Sequence, residues 1–307
     1  MISEQFELTT VSPFRLDLTA WVMRRRENNI IDHWDGRRYR RIVVIGNRPV
    51  KISVVQKDHS NNLTVSITFR GKHESAAPIR EESRRLVQRT LDLDFDLRPF
   101  YALGENDEVI GELVRKFRGL KPPRFPSVFE ALVNAIACQQ VSLDVGIILL
   151  GRLASKFGRV FKEDRSPSYA FPRPDDLVNA SEEEIRQLGF SRQKACAIKE
   201  LASGITSGKT NMAQLEDMAN KDAVEYLSTL RGIGRWSAEY VLLRGMGRLD
   251  TFPGDDIGAQ NNLKRLFGLR HKPDYDEIRK LMSRWHPYEG LVYFHLLLNK
   301  LHQDGKV

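Results

Sequence analysis

The stretch Leu227 to Gly258, LSTLRGIGRWSAEYVLLRGMGRLDTFPGDDIG, holds the residue types best suited to chemistry. Gly232 and Gly234 sit one residue apart between two segments of helical spacing. Glycine admits positive φ and carries no Cβ, so N–H groups opening the second helix can face a phosphate oxygen. Such a turn grips a nucleic-acid backbone without reading sequence. The same residues also make an ordinary tight connection between helices, and the spacing alone leaves both readings open. Beyond the second helix, Asp250-Thr251-Phe252-Pro253-Gly254 leads to Asp255 and Asp256 at the start of a further helix. That connection returns a carboxylate to the neighbourhood of the turn, where it can cap the helix or act on a ligand.

Elements that position these residues must come from a chain of 307 residues, 41% hydrophobic and 29% charged, long enough to bury more than one core. Forty-eight Lys and Arg against 40 Asp and Glu leave a formal net charge of +8, with a sequence pI near 9.5, which favours a polyanionic partner, nucleic acid first. No apolar run is long enough to cross a bilayer, and MISEQFELTT lacks the basic and apolar regions of a secretory signal. Cys138 and Cys196, the two cysteines, exclude a disulfide framework, a four-thiolate zinc site and an all-cysteine iron–sulfur cluster. A reducing intracellular compartment is expected.

Alternation of β-branched residues predicts antiparallel strands at 6–10, 39–46, 50–56 and 63–69, arranged as a meander, with helices at 16–26 and 78–91 covering one face. From about residue 105 the pattern turns helical, with no further strand expected. Helix starts are marked by Ser127, Ser142, Ser181 and Asp274 or Tyr275. The fold class is therefore α+β, an antiparallel sheet domain with helices followed by an all-α region.

The glycine hairpin, the Phe-Pro connection and the Asp at the next helix start together resemble the helix-hairpin-helix DNA glycosylase superfamily. Phe129 to Gly146, FEALVNAIACQQVSLDVG, is similar to its first core helix with the following Gln-x-Val/Ile-Ser segment. Leu188-Gly189-Phe190-Ser191 with Lys194-Ala195 to Leu201 resembles its later Leu-Gly, Lys-Ala and Leu-Ala stretch. With strands in front, the chain is similar to the 3-methyladenine DNA glycosylase II subfamily, the AlkA type. The resemblance spans nearly all of the chain, strongly over 120–300 and weakly before 100. It implies a TBP-like sheet domain over 1–104 and a helix-hairpin-helix (HhH-GPD) region over 105–307, whose core at about 127–250 is flanked by segments forming a second helical subdomain.

The resemblance further implies a monofunctional enzyme of base excision repair. It would flip alkylated bases of the 3-methyladenine and 7-methylguanine type from duplex DNA and hydrolyse the N-glycosidic bond. Asp256 would be the catalytic carboxylate, stabilising positive charge on the deoxyribose and directing water, with Asp255 its rival and the helix cap. Trp236 stands where bifunctional relatives carry a nucleophilic lysine, so no Schiff base is expected. Trp236, Tyr240 and Leu297, with Trp21 and Trp34 from the first domain, would line the base pocket; core packing explains the same aromatics. Gly232, Ile233, Gly234 and Arg235 would meet phosphates, and Gln139 and Gln140 the strand opposite the extruded base. Arg124 or Leu120, in the 121–126 loop, would wedge into the duplex. The arginine runs 24–26 and 37–41 suit DNA contacts or a solvated face. No catalytic cofactor is implied, but Na+ or K+ would sit on the carbonyls of Ser228, Leu230 and Ile233. A monomer without a membrane or obligate protein partner is expected, cytoplasmic with the nucleoid in a prokaryote or nuclear in a eukaryote. Two alternatives remain: a glycosylase for deaminated or oxidised bases, and a noncatalytic damage-binding protein in which Asp256 only caps.

Overall fold

A computed structural model describes residues 1–71, 76–163 and 167–307. Five strands, β1 (Ile2–Thr9), β2 (Asp32–Trp34), β3 (Arg38–Ile45), β4 (Arg48–Gln56) and β5 (Asn62–Phe69), form one antiparallel sheet in the order β1-β5-β4-β3-β2. Strands β2 to β5 follow one another as a meander, and β1 closes the far edge against β5. The β3–β4 turn is two residues, Gly46 and Asn47, with Gly46 at φ +58, so the strand resumes at Arg48 rather than after Pro49.

Four further strands depart from the sequence expectation. β1 starts four residues earlier than the alternation shows because Glu4 occupies a half-buried, inward position and interrupts the apolar pattern. β2 is polar: Asp32 is buried and accepts from the Tyr39 hydroxyl at 2.7 Å and from Arg41 Nη1 at 2.8 Å. A two-stranded ribbon, β6 (Val160–Lys162) and β7 (Pro167–Tyr169), interrupts the helical region, and its Phe161 and Ala170 pack on Ile42. Val50, Ile52, Val54, Leu63, Val65 and Ile67 form the opposite face of the sheet, against α1 (Leu16–Arg24) and α2 (Ala76–Leu91).

The helical region opens with α3 (Arg98–Gly104) and α4 (Gly111–Lys116). It continues through α5 (Val128–Cys138), α6 (Leu143–Phe157), α7 (Pro174–Leu177), α8 (Glu182–Gln187), α9 (Arg192–Thr206), α10 (Asn220–Ser228) and α11 (Arg235–Val241). A π-helical turn, Leu242–Met246, follows, and α12 (Ile257–Leu266), α13 (Tyr275–Met282) and α14 (Glu289–Gln303) complete it. Ser127, Ser142, Ser181 and Asp274 each accept an N–H of the first turn of their helix, as their spacing predicts. Helix α5 is apolar nearly all round, which makes it the buried axis of the bundle.

Two large cores result. One runs without a break from the sheet through α5, α6, α9 and α11; the other joins α3, α4, α12, α13 and α14. Leu97, Phe100 and Tyr101 belong to the second core, with Leu18 and Val22 of α1. Helix α1 serves both: Leu16, Ala20 and Met23 face the first, Leu18 and Val22 the second. No described helix is long and apolar enough to cross a membrane.

A buried ion network joins sheet to bundle, with Arg41 of β3 bonded to Asp32 of β2 and Glu130 of α5, all three at most 5% exposed. Removing its cation strands two desolvated carboxylates. Arg41→Ala should cost about 3–5 kcal/mol, while replacing all three by Met, Asn and Gln should recover most of that. Urea unfolding checks both; a loss under 1 kcal/mol for the single variant would show the triad to be dispensable.

Candidate active site

The connection between α10 and α11 turns at Gly232, whose φ of +76 favours glycine and where an added Cβ would come within 3.0 Å of the Ala197 Cβ. Gly234 differs from expectation. Its φ is −103, an extended N-cap, and what its missing Cβ provides is open space above the turn, with no atom within 4 Å. Ile233 is buried in the core, 5% exposed, and the flanking Gly232 and Gly234 are at the surface. Gln139, expected against DNA, instead braces the turn, donating from Nε2 to the Gly232 carbonyl at 2.7 Å and to Ser237 Oγ at 2.8 Å. Its neighbour Gln140 is exposed and held at φ +52.

Asp256 lies at the centre of the site. It is the N-cap of α12, its Oδ1 accepting the Ala259 N–H at 2.8 Å. Its Oδ2 accepts from Trp236 Nε1 of α11 and from the Tyr293 hydroxyl of α14, each at 3.2 Å. A carboxylate offers about four lone-pair directions, and three are taken; the open one is on Oδ1. Burial, then the neighbouring carboxylate, push the Tyr293 phenol well up, so it stays a donor. The cap expected at Asp255 therefore belongs to Asp256. Asp255 instead pairs with Arg235, at 2.8 and 3.1 Å, and the same guanidinium stacks on Tyr275 at 3.6 Å. Arg235 is thus held by Asp255 and Tyr275 while its side chain stays half exposed.

Trp236 and Tyr240 pack with ring centroids 5.5 Å apart and 31° between planes, one continuous aromatic wall beginning at Asp256. At its far end the Tyr240 hydroxyl accepts from Arg25 Nη1 at 3.0 Å. Leu297 lies one turn beyond Tyr293 on α14, half-buried against the second core. Trp21 and Trp34 instead flank Arg24, which sits 5.5 Å over the Trp21 ring and donates to the Trp34 carbonyl at 2.5 Å. The first domain reaches the wall through Arg25. Tyr293 and Arg25 were not singled out by sequence. The i, i+4 spacing from Tyr293 to Leu297 was a usable signal, but nothing local marked Arg25.

The 121–126 loop cannot supply a wedge. Leu120 and Lys121 are fully buried, and Arg124 is tied to the Met246 carbonyl at 3.1 Å and to Asp92. Of the arginine runs only Arg25 and Arg41 are buried; Arg26 pairs with Asp144 and Arg40 with Asp35 at the surface, and Arg37 and Arg38 are exposed. An open cleft of about 670 Å³ between β3, the start of α5 and residues 171–175 contains none of the Asp256 group. Among the described residues no His, Cys, Asp and Glu cluster suits a metal.

This is the geometry of the class defined by hairpin, connection and capping aspartate, and a profile of HhH-GPD superfamily base excision DNA repair proteins matches residues 133–287. The chain belongs to that superfamily. It is 26% identical over 299 residues to a DNA-3-methyladenine glycosylase of Bacillus subtilis, covering 96% of this chain and 97% of the relative. The solved 3-methyladenine DNA-glycosylase of Archaeoglobus fulgidus superposes with TM-score 0.82 at 25% identity, over 95% and 97% of the two chains. An 8-oxoguanine glycosylase/lyase of Clostridium acetobutylicum shares the fold, with TM-score 0.74 at 17% identity over 96% of each chain.

The loop carrying Asp256 is clamped by buried Glu239 of α11, which accepts the Gly254 N–H at 3.3 Å and the Tyr275 hydroxyl. Burial pushes this carboxyl from 4.5 up to about 7, against the pull of those two donors. The folded value exceeds the unfolded one, so the associated stability is complete below pH 4.5 and lost as pH rises through 7. Wild type should therefore lose of order 3 kcal/mol across that window relative to Glu239→Gln. Denaturant melts of both proteins at stepped pH test this, and parallel curves would refute it.

Proposed function

We propose that this protein is a monofunctional DNA glycosylase that takes alkylated bases out of duplex DNA and hydrolyses their N-glycosidic bonds, acting as a monomer inside the cell. The observation that carries this reading is Asp256, a carboxylate held by three donors with one acceptor direction left open, at the end of an aromatic wall beside the hairpin. Named relatives that match over nearly the whole chain support the lesion class.

A base stacked on Trp236 and Tyr240 places its C1′ at Asp256. As the C1′–N bond lengthens, its electron pair leaves with the base and positive charge grows on the sugar, which the fixed carboxylate stabilises. Water then bonds to C1′, and its proton passes to the open direction of Oδ1. The ring faces attract a base carrying positive charge. An indole at position 236 offers no amine for attack, and Lys194 is occupied at the end of α5, donating to the carbonyls of Ala137 and Gln139 at 3.0 and 2.7 Å. The abasic product should thus keep an intact strand.

Grip on the duplex comes from the exposed hairpin backbone around Gly234, and Gln140 is presented to the gap left by the base. The Leu230 carbonyl accepts only the Ile233 N–H, at 3.1 Å, and keeps a second lone pair. With the carbonyls of Ser228 and Ile233 it suits Na+ or K+, which would add positive charge facing a phosphate.

Asp256→Asn should lower single-turnover base release at least 100-fold while duplex affinity stays within about threefold, since the phosphate contacts lie elsewhere. Gel-resolved release and fluorescence anisotropy measure the two; undiminished release removes Asp256 from the chemistry. Borohydride added to wild-type enzyme and alkylated duplex should trap no covalent adduct, and strand breaks should wait for alkali. A trapped adduct would establish a lyase.

A further inference from the structure

Gln140 and Val141 form the exposed turn between α5 and α6, and the Gln140 φ of +52 lies in the left-handed region that a non-glycine residue rarely adopts. Strain of this kind persists where the surroundings over-determine it, often at functional sites. Here both ends of the turn are fixed. Ser142 caps α6, its hydroxyl accepting the Val145 N–H at 3.3 Å. Gln139, the C-cap of α5, is held twice. Its carbonyl accepts from Lys194 Nζ at 2.7 Å, and the same ammonium donates to the Ala137 carbonyl at 3.0 Å. Its side-chain amide donates to the Gly232 carbonyl at 2.7 Å and to Ser237 Oγ in the first turn of α11 at 2.8 Å. An amide carries two N–H donors, and the hairpin segment takes both. Helix α9 supports the whole arrangement from one face. Lys194 meets the end of α5, and Ala197, three residues on, lies against Gly232. The end of α5, the hairpin and α9 thus form a closed set of contacts, and Gln139 is the residue that joins the hairpin to the Gln140 turn.

We propose that Gln139 is a positioning residue, which couples the hairpin's hold on the phosphates to the placing of Gln140 and, through Gln140, to extrusion of the target base. The inference rests on the glycosylase reading above, with Gln140 at the gap left by the base. An extruded base leaves its neighbours unstacked and its partner unpaired, and a side chain in the gap offsets part of that loss only where it reaches the vacated position. A hairpin that grips backbone sits at a set distance from the phosphates. The amide link turns that distance into a location for Gln140. Without the link the duplex is still gripped, but the turn is free to relax out of its strained conformation.

A double-substitution cycle tests this with Gln139→Met, which keeps the length of the side chain and removes both donors, and Gln140→Gly. Duplexes carry one 7-methylguanine. In a non-hydrolysable 2′-fluoro form flanked by 2-aminopurine, which brightens when its neighbour leaves the stack, they report extrusion; in the cleavable form they report single-turnover release. Each single variant should lose at least tenfold in both, with affinity for undamaged duplex within about threefold of wild type by anisotropy. The double variant should match Gln140→Gly within about twofold, because Gln139 acts only through Gln140. Losses that multiply in the double variant would overturn the proposal. So would a Gln139→Met loss of affinity for undamaged duplex as large as its loss of release, which would make Gln139 a brace of the hairpin alone. Should Gln139→Met not fold, Lys194→Met in the same cycle decides by the same criteria, since it frees the Gln139 carbonyl instead. The fluorescence arm needs no bond cleavage. Wild type that brightens the probe but releases no base would overturn the glycosylase reading and leave the coupling sustained.

Discussion

One carboxylate has to satisfy a helix and a reaction at once. Asp256 fills the orphan N–H of Ala259 through Oδ1, which fixes where α12 begins, while Oδ2 receives α11 through Trp236 and α14 through Tyr293. Three elements distant in sequence converge on two oxygen atoms, and the position of each is set by the lone-pair directions of the others. The clamp behind this carboxylate has the same logic. Glu239 and Gln260 hold Gly254 from its N–H and carbonyl sides, so the short Phe252 to Asp255 connection has little freedom to shift the cap. Preorganisation of this kind lets a charged group stabilise a developing charge without first rearranging.

Electrostatics divide the molecule in a way its net charge of +8 conceals. Several arginines are spent on contacts within the chain. Arg41 neutralises two buried carboxylates, Arg124 ties the loop before α5 to the π-helical turn, and Arg235 pairs with Asp255 beneath Tyr275. At the hairpin Gly232 and Gly234 also offer exposed backbone to a polyanion. That suits an enzyme that must scan any sequence, because peptide dipoles facing phosphates carry no base preference.

Local chemistry was legible in the sequence and long-range burial was not. Helix starts at Ser127, Ser142, Ser181 and Asp274 were readable because capping is decided within four residues. The central strands were readable from period-two alternation. Strand β2 escaped because its inward residue, Asp32, is polar and paired with an arginine nine positions on. The Arg24 to Arg26 run looked like a solvated face, yet its middle member crosses into the bundle to meet Asn134 and Tyr240. The 121–126 loop looked exposed because it is rich in proline and charge, but Lys121 lies in the interior with its ammonium on the Leu93 carbonyl. In the candidate site the hairpin and Asp256 were found by motif. Tyr293 and Arg25, which finish it, are defined only by tertiary contact.

Helix α1 lies between the two cores, with Leu16, Ala20 and Met23 on one and Leu18 and Val22 on the other, and it packs against α14 at the opposite end of the chain. During synthesis this early helix therefore leaves the ribosome with a whole face uncovered. Its contact with α14 waits until about two hundred and fifty further residues have been made, on the order of ten to fifty seconds at ordinary elongation rates. Until then the sheet domain lacks the contact between α1 and α14. The arrangement that delivers Arg25 to the site thus also makes completion of the first domain depend on the last helix.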